Sequence, residues 1–246
     1  MKRRALIIYC DNTESGELPG PPHDNNNFRD FLLSHLGGDW AENEIRSLRS
    51  PSSIEVLRTI GGFLKDSDYT FIVFTGHGFI NSDDNNKQYV ELSDDSIPIS
   101  FLRTNSKRQT LIVDACRGYY SPTRELLKAF SERRLLLTGD ISFTREIFER
   151  AVLVAEEGWT ILYAANVNQT ALDTNKGAAY LLSLLQIAEL WQENDNRNTV
   201  LNLKTTHEFA KVYLSEHFET IQNPIMNNEK RIKYFPFAVK AVSLHG

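Results

Sequence analysis

Four short runs rich in apolar, β-branched and aromatic residues punctuate the chain, at residues 4–10, 69–75, 109–114 and 159–164, each of strand length. Runs of this kind are strands buried on both faces, which is what a parallel sheet requires. Between them the spacing turns helical: Phe28, Phe31, Leu32 and Leu36, then Val56, Ile60, Phe63 and Leu64, and later Ala210, Leu214, Phe218 and Ile221. The segment 178–191 is apolar nearly all round and suits a central packed helix. Strands alternating with helices predict an α/β fold of three layers, αβα, around a mostly parallel sheet of about six strands. Phe235, Phe237 and Val239 alternate near the C-terminus, and Pro236 puts that last strand at an edge of the sheet.

Local signals set the boundaries. Asp24 is placed to N-cap the first helix and Gly37-Gly38 to stop it. Ser52 with Glu55 three residues on, behind Pro51, forms a capping box for the second helix, which Asp66-Ser67-Asp68 ends. The stretch around Asp83-Asp84-Asn85-Asn86 reads as a polar loop, and 99–105 as a second crossover. No repeat, low-complexity tract or Pro/Gly linker divides the 246 residues, so one domain over 1–246 is expected.

Composition narrows the function classes. With 41% hydrophobic and 24% charged residues, disorder, collagen and coiled coil are excluded. No stretch approaches the roughly 20 apolar residues of a membrane helix. The apolar run after Lys2-Arg3-Arg4 meets Asp11-Asn12 too soon for a signal peptide, so a cytoplasmic protein is expected. A net charge of -5 with dispersed Lys and Arg offers nothing to nucleic acid or an anionic membrane; a neutral or cationic partner fits better. Cys10 and Cys116 are too few for a disulfide framework or a cysteine-based zinc site, so any sulfur chemistry is that of a single thiol.

Ligands of such sheets bind at the carboxyl ends of strands. Neither a Gly-x-Gly-x-x-Gly turn nor a Gly-x-x-x-x-Gly-Lys loop is present for a nucleotide. Two strand exits carry chemistry instead: 69–75 runs into Gly76-His77-Gly78, and 109–114 into Ala115-Cys116-Arg117-Gly118. If the two strands are neighbours, an imidazole and a thiol leave the same rim side by side. Sulfur attacks a carbonyl only as thiolate, and an adjacent His both takes its proton and supplies one to the leaving amine. The N–H groups of Gly78 and Cys116 are placed to form an oxyanion hole. Cys10, by contrast, reads as an inert small hydrophobe.

Phe74-Thr75-Gly76-His77-Gly78 and Asp114-Ala115-Cys116-Arg117-Gly118 resemble the His-Gly and Gln-Ala-Cys-Arg-Gly signatures of caspases. With Asp in place of Gln, the second is closer to metacaspases and bacterial caspase-like proteases. Asn168-Gln169-Thr170-Ala171-Leu172-Asp173 and Gly177-Ala178-Ala179-Tyr180-Leu181-Leu182 are similar to further metacaspase segments, and Glu17-Leu18-Pro19-Gly20 with Asp24 to the loop before their first helix. The resemblance implies a caspase-fold cysteine endopeptidase with Cys116 as nucleophile and His77 as acid and base, and no metal or organic cofactor in the reaction. It also suggests that residues 119–158 correspond to the processing linker between caspase subunits, and that a separate activating protein is a potential partner.

Asp114 lies two residues before Cys116, so both side chains fall on one face and into one cleft. In caspases the matching Gln helps receive an acidic substrate residue; a carboxylate there repels that residue and attracts Arg or Lys. Asp24 aligns with a metacaspase carboxylate of the same pocket, and Asp173 is a third candidate for its wall. The expected partner is a protein or peptide with Arg, or second Lys, before the cut. Self-processing at Arg124, Arg133, Arg134, Arg145 or Arg150 is weighed against these arginines lying on solvated helix faces, which is preferred. Calcium activation through Asp83, Asp84, Asp94 and Asp95 is left as an option, although their spacing departs from the expected pattern. His23, His35, His207, His217 and His245 are read as structural or surface residues. A cysteine phosphatase is excluded because Pro122 stands where its loop needs Arg. A catalytically silent caspase-like scaffold is the alternative, and a transpeptidase or ligase on the same dyad a third reading.

Overall fold

The computed structural model describes residues 1–119, 143–194, 198–227 and 231–241, with the backbone of Leu126–Leu127. Its central sheet has six strands: β1 (Arg3–Tyr9), β2 (Ile45–Arg49), β3 (Tyr69–Thr75), β4 (Arg108–Asp114), β5 (Gly158–Tyr163) and β6 (Ile225–Asn227). They lie in the order β6-β5-β4-β3-β1-β2, parallel except for β6. The helices are α1 (Gly20–Leu33), α2 (Ser53–Gly61), α3 (Phe143–Val154), α4 (Ala179–Glu193) and α5 (Leu203–His217).

Every residue of β3 is buried, in keeping with an aromatic and branched sequence broken only by Thr70 and Thr75. Its alternation distributes side chains to two cores: Phe71 and Val73 pack with α1, α3, α4 and α5, while Ile72 and Phe74 pack with α2 and the elements around it. Each buried aromatic or branched side chain contributes roughly 1.5–3 kcal/mol. The second layer holds α2, a three-stranded antiparallel sheet (Gly78–Asn81, Lys87–Glu91, Ser96–Pro98) and a 3-10 turn at Ile99–Leu102. The three-layer α/β expectation therefore holds.

Several boundaries differ from expectation. Asp24 is not an N-cap: α1 begins earlier, at Gly20-Pro21-Pro22, where prolines with fixed φ and no N–H suit a first turn. The helix ends at Leu33, so Leu36 is buried outside it and Gly37-Gly38 form the turn beyond, Gly38 at φ +95. Ser52 does cap α2, accepting from the Glu55 N–H at 3.2 Å, but the helix stops at Gly61 rather than at Asp66. The expected polar loop at 83–86 is the turn of the three-stranded sheet, made tight by Asn85 and Asn86 at φ +53 and +56. Residues 99–105 supply only the 3-10 turn, too short for a crossover helix. Ile221 lies beyond α5 and is exposed.

The sheet does close on an antiparallel edge toward the C-terminus, but the strand is β6. The run expected there, Pro236–Val239, pairs instead with Val200–Asn202, and all four of its residues are buried among the helices of the first core. Of the insert expected at 119–158, α3 and the start of β5 are described; Arg124, Arg133 and Arg134 lie outside the described residues, and Arg145 and Arg150 sit on α3.

At the amino ends of the strands Arg3 is fully buried. Its guanidinium lies 4.5 Å over the Trp40 ring, donates to the Gly38 and Asp39 carbonyls, and meets Glu44 at 3.4 Å. Arg145 binds the same Glu44 at 2.6 Å and Glu149 at 3.1 Å, which locks α3 to the β1 end.

Candidate active site

β3 and β4 are paired in parallel register, Thr75 opposite Asp114, and the Gly76 N–H donates to the Asp114 carbonyl at 3.1 Å. His77 and Cys116 each follow two residues past that registered pair, so both leave the carboxyl rim from neighbouring strands, and both are half-buried. Gly76 cannot carry a side chain, because a Cβ there would sit 2.9 Å from the Cys10 Cβ. Cys10 is wholly buried, and burial together with Asp11 pushes its thiol up to about 12, which removes it from nucleophilic chemistry.

The strand period divides the exit of β4. Leu111, Val113 and Ala115 face the second core, whereas Ile112 faces the first. Asp114 follows Ile112 on that first face, where its carboxyl acts on both Asp24 and Tyr180, and Cys116 comes two residues later. The Cys116 Sγ lies 4.0 Å from the Ala171 carbonyl. The next residue, Arg117, turns to the opposite side and anchors the loop. Its guanidinium stacks 4.2 Å from the Tyr163 ring and donates to the Ala165 carbonyl and to Gln88, while its main chain pairs with Gln169 and Asn168.

Beside this exit the three expected pocket carboxyls come together, all buried. Asp24 reaches down from α1, accepting from the Thr75 hydroxyl at 2.6 Å and the Ala178 N–H at 2.8 Å. Asp173, on a two-residue strand that pairs with Gly177–Ala178, accepts from the Gly20 N–H at 3.1 Å. Burial first, then the nearby charge of Asp114, and also that of Asp173, hold the Asp24 carboxyl well above the usual carboxylate range; the Thr75 and Ala178 bonds offset only part of this. Two glycines make the gathering sterically possible. A Cβ at Gly20 would fall 1.8 Å from the Asp173 carboxylate, and one at Gly177, where φ is +128, 2.4 Å from that of Asp24. Thr75, Gly20 and Gly177 fall within segments that resemble family motifs, but no local propensity marks their roles, because the contacts that need them cross between distant segments.

The main chain of Gly78 enters the three-stranded sheet. A Cβ on it would collide with the Tyr89 carbonyl at 2.7 Å and the Ala115 Cβ at 2.8 Å, so the backbone passes close to the base of the Cys116 loop. The acidic residues weighed for calcium go elsewhere: Asp84 binds Lys87 and Tyr89, Asp94 caps α2 through Ser53, and Asp95 binds the Ser96 N–H. Among the described residues no group of three or more His, Cys, Asp or Glu is arranged to hold a metal ion. His35 meets Asp39, His207 meets the Tyr180 hydroxyl at 2.7 Å with burial lowering its pKa to about 4, and His217 stacks on Tyr213.

The mostly parallel sheet therefore carries a thiol and an imidazole at the exits of two neighbouring strands. The caspase domain family model matches residues 2–236, and the chain belongs to that family, whose members are cysteine-type endopeptidases. Among solved structures it is similar to caspase-1 from Spodoptera frugiperda, with a TM-score of 0.63 at 12% identity over 92% of this chain and 88% of that one. That likeness extends to the fold. No curated protein sequence matches the chain. Among the described residues no helix is long and apolar enough to cross a membrane.

Proposed function

We propose that the chain is an endopeptidase in which Cys116 attacks the peptide carbonyl, His77 shuttles the proton, and the cut falls after Arg, with Lys second. The observation that carries this reading is the convergence of Asp24, Asp114 and Asp173 beside the two strand exits. Like-charged carboxyls buried together resist ionisation, and a guanidinium between them converts that cost into binding free energy. An acidic substrate residue meets repulsion in the same place.

The reaction follows from the groups present. His77 takes the Cys116 proton, the thiolate adds to the scissile carbonyl, and the N–H groups of Gly78 and Cys116 hold the oxyanion, each such donor being worth about 3 kcal/mol. His77 then protonates the leaving amine. Water attacks the acyl thioester with His77 as base and regenerates the thiol. Arg145 and Arg150 are held in helix α3, so self-processing within 119–158 would fall at other residues. Mass spectrometry should then find a break in the native protein that is absent from Cys116→Ala.

Fluorogenic peptides ending in Arg, Lys or Asp, offered with and without calcium, test the assignment against Cys116→Ala and His77→Ala. Turnover of the Arg peptide that both variants lose is the expected result. Hydrolysis only after Asp overturns the pocket assignment, and silence under every condition favours a binding scaffold. Dependence on added calcium would revive a cation site outside the four aspartates described.

A further inference from the structure

We infer that Gln88 is a positioning residue for the oxyanion site: its side-chain amide holds the Cys116 carbonyl and packs against Gly78, so that both main-chain donors keep their aim. This rests on the reading of Cys116 as the nucleophile.

Gln88 lies on the strand Lys87–Glu91, opposite Ile80, and is only 4% exposed. Its Nε2 donates to the Cys116 carbonyl at 3.0 Å and to the Tyr89 carbonyl at 3.3 Å, and its Oε1 accepts from the Arg117 Nε at 2.7 Å. A Cβ built on Gly78 would fall 3.2 Å from the same Nε2, so the amide is wedged between the two residues whose N–H groups face the oxyanion. The orientation of the amide is fixed by its surroundings. Turned over, it would set NH2 against the Arg117 Nε–H and an oxygen against two carbonyls. Packing alone does not ask for an amide here: Val90, two residues on along the same face, and the opposite Ile80 are apolar and buried, and a buried amide is costly unless its bonds are made. The bonds it makes run to the Cys116 carbonyl, to the Tyr89 carbonyl beside Gly78 and to the guanidinium that anchors the Cys116 loop. With the Cys116 carbonyl held by Gln88 and the Arg117 N–H by the Gln169 carbonyl, the peptide plane leaving Cys116 has little freedom to rotate, which fixes the course of the chain through Cys116 and, with it, the aim of the N–H on its other side.

Two substitutions separate positioning from folding. Gln88→Glu keeps an acceptor for Arg117 but turns an oxygen toward the Cys116 carbonyl; Gln88→Met keeps length and volume and loses all three bonds. Each should lower kcat about 10- to 100-fold, the range for a disturbed oxyanion donor, with KM for an Arg peptide within about threefold. Inhibition by a peptide aldehyde, whose thiohemiacetal needs the same donors, should weaken in parallel. Alkylation of Cys116 by iodoacetamide needs thiolate but no oxyanion donor, so its rate should change by less than about threefold. Full kcat in Gln88→Glu, or equal losses in kcat, alkylation and aldehyde binding, would overturn the assignment while leaving the peptidase reading intact. An unsubstituted protein that turns over no peptide would remove that reading, and the role of Gln88 with it.

Discussion

Two charge clusters sit at opposite ends of the same sheet, one partly and one wholly buried, and they are built on contrary principles. At the amino ends Arg3, Glu44, Arg145 and Glu149 alternate in sign. Burial alone would push Glu44 up, but the bonds from Arg145 and Ala41 and the charge of Arg3 outweigh it and leave its carboxyl below the ordinary value. At the carboxyl ends Asp24, Asp114 and Asp173 share one sign, and Asp24 is displaced the other way. A charge-matched cluster ties elements together, whereas carboxyls buried side by side raise one another's pKa, a cost that the cationic substrate residue proposed above would offset.

The contrast breaks first at the carboxyl rim. Asp114→Asn should cut kcat/KM for an Arg peptide by about 100-fold or more, since removing one partner of a buried charge pair costs about 2–5 kcal/mol, and should leave the melting temperature level or raised. Unchanged kinetics would show that the carboxyl serves only the fold. At the amino rim the reverse is expected: Glu44→Gln leaves buried Arg3 only the more distant Glu149, at 3.8 Å, and should cost about 3 kcal/mol by denaturant unfolding, with kcat/KM of the folded protein intact. Lost activity at preserved stability would erase the distinction between the two ends.

Proton linkage sharpens it further. Because folding raises the Asp24 pKa above 3.8, the empty protein loses stability as pH rises from that value until the folded pKa is passed. A bound guanidinium favours the ionised form, so the thermal shift produced by agmatine should grow with pH through that window, with proton release visible by calorimetry in two buffers. A shift that is flat with pH would separate Asp24 from the cation site. The smallest effect is a control remote from both clusters: Ser52→Ala removes the cap of α2 and should cost about 1 kcal/mol with no kinetic change.

The four interior strands were legible because burial on both faces selects dense runs of apolar, β-branched and aromatic residues, and the two catalytic candidates because each stands just past such a run. The edge strands were not. In β2 only Ile45 and Leu48 are buried, separated by charged and polar residues, and β6 is three residues long. The sheet at 78–98 hides behind Asp and Asn because its turn uses them for their backbone conformation. Alternation at 235–239 pointed to a half-exposed edge, whereas a second strand and three helices cover it. In the site, the side of β4 on which Asp114 lies followed from strand parity. The place of Asp24 at the site came from family resemblance, while its local context suggested a cap; Gln88 gave no signal at all, since its role exists only once the hairpin folds onto the Cys116 loop.

The margins of the sheet bear on how the molecule behaves when crowded. One margin, β2, turns Arg46 and Arg49 outward, and the other offers three residues of backbone. Neither gives an incoming chain a long, neutral ladder to add to, so native molecules make poor seeds for fibrils. Clumping during expression or storage would then trace to partly unfolded chains, with the apolar-rich interior strands as the adhesive.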